Sequence, residues 1–304
     1  MTIISNRKKL LFIMNPKSGV MLAPKYMSEI ITGFSKSGYL SNVLMTEAKG
    51  DARAFASEYA KDADLVVVSG GDGTFNEVVD GLLAAGLKTP IGYIPSGSTN
   101  DFAGSLGLPK NIFECVNTII TGKPVPVDIG SFNGRYFSYV ASFGAFTSAT
   151  YSVPQNLKNI FGHAAYVMGG IKEITELKPI HAKFTSDKDT SHARVYEGDY
   201  VIGAVCNSRS IGGILHLENL GVDMSDGQME VLLIKMPKDI IQLSETAVSM
   251  LGGTFLSNQI ESFTTSSLEV EIENDIHWTL DGEYEEGSSS CEIKIFPSAI
   301  QVIK

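Results

Sequence analysis

Residues 66–77 read VVVSGGDGTFNE, and the rest of the chain takes its meaning from them. The apolar run over residues 65–68 predicts a buried strand. It passes into Gly70, Gly71, Asp72, Gly73 and Thr74, and then into a helix whose first turn carries Asn76 and Glu77. Glycines on both sides of an acid let the backbone come close to a bulky anion, and N–H groups at a helix start face its oxygens. The stretch therefore predicts a phosphate cradle and a nucleotide-using site. Asp72 would be repelled by phosphate oxygens unless a divalent cation lay between them, so Mg²⁺ is expected with the nucleotide. Gly-Gly-Asp-Gly alone also makes ordinary turns; the strand before it and the helix after it are what favour function. No Gly-Lys-Ser/Thr follows, so this is not a Walker A loop, and it is not the dinucleotide GxGxxG.

Working outward, apolar strands over residues 9–14, 40–45, 65–68 and 90–94 alternate with helices. Residues 24–37 carry Tyr26, Met27, Ile30, Ile31 and Phe34 at the spacing of an amphipathic helix, and residues 51–61 form an Ala-rich one. Four such alternations imply right-handed crossovers and a parallel sheet. Ligands gather at the carboxyl ends of such strands, so the polar loops at Asn15, Gly70 and Ser96 should converge on one site.

After Gly122 the pattern changes. Pro124 and Pro126 bracket a crossing, and short alternating runs follow over residues 136–141, 182–184, 193–196, 200–206, 229–234, 268–272, 278–280 and 291–296. These read as a mostly antiparallel second domain, with helices over residues 164–176 and 240–251. The expected division is an α/β domain over residues 1–125 and a β-rich domain over 126–304, its last strands able to return to the first.

Composition excludes several classes. A chain of 304 residues with 43% hydrophobic and 19% charged residues is long enough for two cored domains and is not disordered. A net charge of −10 argues against nucleic acid as a partner. Cys115, Cys206 and Cys291 are odd in number and scattered, which excludes a disulfide framework or zinc spacing and fits a reduced, cytoplasmic setting. The span 136–157 carries no formal charge, but its Ser, Thr, Gln, Asn and Pro residues are not those of a spanning helix. It reads as strands and a turn able to line an apolar slot.

Other constellations carry weaker signals. Asn15, Pro16, Lys17, Ser18 and Gly19 offer donors at a strand end, although such sequences also form simple Asx turns. Ser98, Asn100 and Asp101 follow a glycine, and the last two suit helix capping as well as a cleft. Asp223, Ser225 and Asp226 precede a strand in a turn that could hold a hard cation or be only a turn. Asp281 and Glu283 follow the strand containing Trp278; such a cluster is usually a solvated hairpin, but an acid there could take a substrate proton.

Taken together, NPKSG, GGDGTFNE, PSGSTNDFA, VDIG, SDG and LDGE occur in the order seen in the diacylglycerol kinase catalytic-domain family, and the chain resembles its soluble bacterial lipid kinases over about residues 8–283. GGDGT is shared with NAD kinases and phosphofructokinases; SGSTNDFA is more specific. The resemblance implies a Rossmann-like parallel-sheet nucleotide-binding domain followed by a β-rich sandwich, with the active site between them. It implies ATP contacts at Asn15 to Gly19, Thr46, Gly70 to Thr74 and Ser98, with Asn76, Glu77 and Asn100 alongside. Asp72 and Asp101 would order Mg²⁺. A structural cation would sit on Asp226, with backbone oxygens near Asp223 and Gln228, although the family commonly has two acids where this chain has Ser225 and Asp226. The general base falls among Asp281, Glu283 and Asp72, with the first two preferred.

The expected reaction is transfer of the ATP γ-phosphoryl group to a lipid hydroxyl, most simply diacylglycerol giving phosphatidic acid. A nicotinamide nucleotide kinase and a non-catalytic nucleotide sensor are the alternatives. The residues 151–183 carry Lys158, Lys172, Lys178, Lys183, His163 and His181 against Glu173 and Glu176, a positive island suited to transient contact with an anionic membrane surface. An exposed strand edge in the second domain would allow a homodimer.

Overall fold

The computed structural model describes residues 7–19, 22–144, 178–212, 215–273 and 276–304. Most of the positive island, the expected helix over 164–176 and the part of the uncharged span beyond Gly144 lie outside these residues. The chain divides into two compact units, Met1–Asp128 with Pro297–Lys304, and Ile129–Phe296.

The first unit is a parallel α/β sheet. Strands β1 (Lys8–Met14), β2 (Tyr39–Met45), β3 (Leu65–Gly70) and β4 (Ile91–Pro95) run in the order β4-β3-β1-β2. All neighbours are parallel, with Leu10 opposite Leu65 and Val66 opposite Ile91. The final residues add a further parallel strand beside β4 at Val302. Helices α1 (Leu22–Lys25), α2 (Met27–Lys36), α3 (Asp51–Tyr59), α4 (Asp72–Ala84), α5 (Asp101–Leu106) and α6 (Ile112–Thr121) cover the sheet. β3 is buried at every residue, as expected of a strand covered on both faces. One core gathers Leu10, Phe12, Met14 and Val67 against Ile30, Phe34, Val116 and Ile119 of α2 and α6. Elsewhere Phe75 of α4 packs on Tyr93 of β4 and Phe102 of α5, with ring centroids 4.7 and 4.2 Å apart. That packing sets the starts of α4 and α5 side by side.

The second unit is antiparallel. It comprises β5 (Pro124–Phe132, entering from the first unit), β6 (Arg135–Phe137), β7 (Val140–Gly144), β8 (Ile180–Ser186), β9 (Arg194–Cys206), the small pair β10 (Ser210–Ile211) and β11 (Leu215–His216), β12 (Met229–Lys235), helix α7 (Ile240–Leu251), β13 (Ile260–Thr265), β14 (Ser267–Ile272), β15 (His277–Leu280), β16 (Glu283–Glu286) and β17 (Ser290–Ile303, which returns to the first unit). Its sheet order is β16-β15-β7-β9-β8-β14-β17, with β12 and β13 extending from β9. Trp278 packs on Phe132 and Phe143 in one core, and α7 sets Ala247 and Met250 against Ile202, Leu232 and Ile234 in another.

Several local readings are corrected. The two runs expected at 193–196 and 200–206 are one strand, β9, because Glu197, Gly198 and Asp199 pair with Lys183, Ala182 and His181 and so continue the ladder. The run at 136–141 is divided between β6 and β7. β13 and α6 have no counterpart in the sequence reading. The last strand runs on through Pro297 to Ile303.

Candidate active site

At the carboxyl edge of the first unit's sheet the three polar loops meet. Asn15 N–H donates to Ser69 O at 2.8 Å, and Ser96 N–H to Gly70 O at 2.8 Å. The Asn15 amide nitrogen donates to Thr74 Oγ1 at 3.3 Å. Pro16 and Lys17 lie in a turn closed by Asn15, whose Oδ1 accepts Lys17 N–H at 3.0 Å. Thr46, buried at the end of β2, donates its N–H to Met14 O at 2.9 Å. Ser98 is exposed on the loop after β4.

Glycine is required where these loops touch. Gly19 has φ +54°, and a Cβ there would run into the Ser96 carbonyl oxygen. A Cβ on Gly97 would stand 2.6 Å from Gly71 Cα. Ser18 lies against Gly71 as well. The loops are packed backbone to backbone, which leaves main-chain groups to line the site.

The helix begins earlier than the sequence pattern implied. Gly71 is its N-cap and Asp72, Gly73 and Thr74 form its first turn, while Asn76 and Glu77 fall in the second. Among the described residues, no side chain caps this end. The first-turn N–H groups of an α-helix have no intrahelical acceptor, so a 13-residue helix with a bare start presents donors and a positive dipole end to an anion. Ser69 Oγ and Ser96 Oγ are also buried beside these loops with no hydrogen-bond partner among the described residues. Unused donors and a glycine-lined surface fit a nucleotide phosphate.

Asp72 turns toward the start of α5. Its Oδ2 accepts Asp101 N–H at 3.1 Å and Thr99 Oγ1 at 3.4 Å, and its Oδ1 accepts Phe102 N–H at 3.3 Å. Burial, reinforced by the neighbouring Asp101 carboxylate, pushes the Asp72 carboxyl up to about 6 despite those donors. Two acids sharing a buried corner are a donor set that suits a hard cation. Of the two roles open to Asn100, capping and facing the cleft, its side chain does not take the first at α5. It adopts φ +52°, and its amide folds back to pair with Gly97 through two bonds of 2.9 Å. Glu77 reaches neither loop crest; its carboxylate accepts N–H groups at the start of α3.

In the second unit, residues 280–283 form the two-residue turn of the β15–β16 hairpin, with Leu280 paired to Glu283. Asp281 and Gly282 both have positive φ, +51° and +82°, the type I′ geometry that Asp-Gly favours. The buried Asp281 carboxylate accepts three backbone N–H groups, from Ser138 at 2.6 Å, Tyr139 at 2.9 Å and Val140 at 3.0 Å. This anchors the hairpin to the β6–β7 connection. Glu283 instead meets Arg135, whose Nη2 donates to Oε2 at 2.8 Å; the same guanidinium also bonds Glu285 and the Tyr284 carbonyl. Neither Arg135 nor the 138–140 backbone was expected from sequence. No local signal joins residues some 140 positions apart.

The 223–228 turn serves its own fold. Asp223 Oδ1 accepts both Ser225 N–H and Ser225 Oγ, at 3.1 and 2.8 Å, and Asp226 Oδ1 accepts Gln228 N–H at 2.9 Å. Among the described residues, no group of three or more His, Cys, Asp or Glu is placed to hold a metal. Close by in sequence, Glu230 is buried opposite Cys206, and burial pushes its carboxyl up to about 7.

Comparison with known proteins places the chain in a family. The family described as diacylglycerol kinase catalytic domain matches residues 9–132, and that described as YegS C-terminal NAD kinase beta sandwich-like domain matches residues 140–304. The chain is 33% identical to a diacylglycerol kinase of Bacillus subtilis strain 168, over 91% of this chain and 90% of that protein. It is 30% identical to a diacylglycerol kinase of Staphylococcus epidermidis, over 91% and 86% respectively. The crystal structure of a diacylglycerol kinase from Bacillus anthracis strain Sterne superposes with a TM-score of 0.75 at 25% identity, covering 97% of this chain and 96% of that one. Among the described residues, no helix is long and apolar enough to cross a membrane. The chain belongs to the diacylglycerol kinase catalytic-domain family and is an enzyme, a lipid kinase, whose family implies the use of ATP.

Proposed function

We propose that the protein transfers the γ-phosphoryl group of ATP to the free hydroxyl of diacylglycerol, giving phosphatidic acid and ADP. The observation that carries this reading is the bare, glycine-flanked start of α4 at the meeting point of three loops, in a chain of this family. The first-turn amides of α4 and the Asn15 and Gly97 loops receive the nucleotide phosphates. Asp72 with Asp101 would hold Mg²⁺, which when bound offsets the phosphate charge. Glu283 accepts the proton of the acceptor hydroxyl as the new P–O bond forms and the bond to the β-phosphate oxygen breaks. Asp281 positions the hairpin that carries Glu283. The protein works in the cytoplasm and meets its lipid by transient contact with the membrane surface, and a homodimer is compatible with the edge of β13, which among the described residues pairs only with β12.

The test is transfer of labelled γ-phosphate from Mg·ATP to a bacterial lipid extract in mixed micelles, with Asp72→Asn as control. A labelled phosphatidic acid spot absent from the control is expected. Label in soluble nicotinamide nucleotide instead would transfer the assignment to a nucleotide kinase, and no label at all would leave a nucleotide sensor.

A further inference from the structure

Glu77 stands on α4 one turn beyond the phosphate-facing start, and both its carboxylate oxygens are directed at another helix. Oε1 accepts Gly50 N–H at 2.9 Å and Oε2 accepts Ala52 N–H at 3.2 Å. Gly50 is the N-cap of α3, has φ +91°, and brings no side chain with which to cap it. Glu77 therefore supplies that cap from 27 residues away. Asp51 completes the arrangement, its Oδ2 accepting Glu47 and Ala48 N–H at 2.7 and 2.8 Å. Between Thr46 and Ala52, four backbone N–H groups thus end on two carboxylates. Farther along the same face of α4, Asp80 pairs with Arg53 at 2.5 Å. Gly81 lies so near α3 that a Cβ there would be 2.9 Å from Ala56 Cβ.

We propose that Glu77 is a positioning residue for the nucleotide, acting through the loop that follows Thr46 rather than by touching ATP. The helix that presents amides to the phosphates also fixes, through one carboxylate, the segment that leaves the end of β2. The two sides of the nucleotide site are then held at one spacing. Two acceptor oxygens are needed because the Gly50 and Ala52 N–H groups flank Asp51; a glutamine in this place offers one oxygen and keeps one bond. This inference rests on the reading that ATP lies along these loops.

The test compares full-length wild type with Glu77→Gln, Glu77→Ala and, as a helix-packing control, Arg53→Ala. Glu77→Ala is expected to raise KM for ATP about tenfold with kcat within about twofold, and Glu77→Gln to fall between it and wild type. Exchange of the Gly50 and Ala52 amides should quicken by about tenfold or more in Glu77→Ala. Arg53→Ala should leave KM for ATP unchanged. Faster exchange with unchanged KM would overturn the proposal, as would a loss of kcat at unchanged KM, which would place Glu77 at the reacting groups. If Glu77→Ala fails to fold, Glu77→Gln is read by the same criteria. Calorimetric affinity for a non-hydrolysable ATP analogue separates this inference from the kinase reading. An inactive wild type whose analogue affinity still drops on substitution at Glu77 would sink the lipid kinase activity and keep the positioning role; an unchanged affinity would sink the latter.

Discussion

Arg135 Nη2 donates to Glu283 Oε2 at 2.8 Å, joining β6 to the hairpin strand β16 across 148 residues of chain. The same guanidinium holds Glu285, so the two acids on the half-buried face of the strand are aimed by one planar fork. If Glu283 is the base, Glu283→Gln should lower kcat by at least about a hundredfold with KM for ATP unchanged. Arg135→Met should lower kcat about tenfold, because the base survives but loses its orientation. Steady-state kinetics on both variants, with circular dichroism to check folding, decides this; full activity in Glu283→Gln would remove the assignment.

Asp281 should behave differently from Glu283. Its carboxylate accepts the Ser138, Tyr139 and Val140 N–H groups, and its φ of +51° suits Asp or Asn better than Ala. Asp281→Ala is expected to cost roughly 3 kcal/mol by stranding buried donors and straining the turn. Asp281→Asn should cost less than half of that and retain measurable transfer. Urea unfolding beside the activity assay tests both; equal stability in the three proteins would contradict the anchor.

Gly97→Ala probes the close approach of two loops. The added Cβ would lie 2.6 Å from Gly71 Cα, and backbone on both sides gives little room to yield. A loss of roughly 1–3 kcal/mol is expected, as for other overpacked sites, together with a raised KM for ATP. Gly104→Ala, inside α5 where a Cβ meets nothing within 4 Å, is the control and should leave KM unchanged while raising stability by up to about 1 kcal/mol. Thermal unfolding and kinetics on the pair provide the measurement.

Glu230 predicts a pH dependence of stability. Burial raises its carboxyl to about 7 from the ordinary 4.5, so the folded chain holds this proton more tightly than the unfolded chain. The contribution is present in full below about 4.5 and is lost as pH rises through about 7, an effect of roughly 2–3 kcal/mol. Glu230→Gln, which stays neutral, should be more stable than wild type at pH 8 and about equal to it at pH 4.5. Denaturant unfolding between these values checks the sign; a variant that is less stable at pH 8 would refute it.

The sequence by itself determined the parallel sheet, the glycine-rich strand-to-helix turn and the family. Apolar runs of strand length between helical patterns leave few topologies, and a glycine-rich strand-to-helix turn has a local backbone geometry that residues 70–74 encode on their own. Tertiary structure decided what the acids do. Asp281 became an anchor, Glu77 a cap for another helix and Asn100 a clamp on Gly97, while Glu283 acquired Arg135. β9 ran unbroken through Glu197, Gly198 and Asp199 because β8 supplied its ladder. A carboxylate's task depends on which donors surround it. Those donors come from strands and loops that only folding brings near, so residue type and spacing could name the acids but not apportion their work.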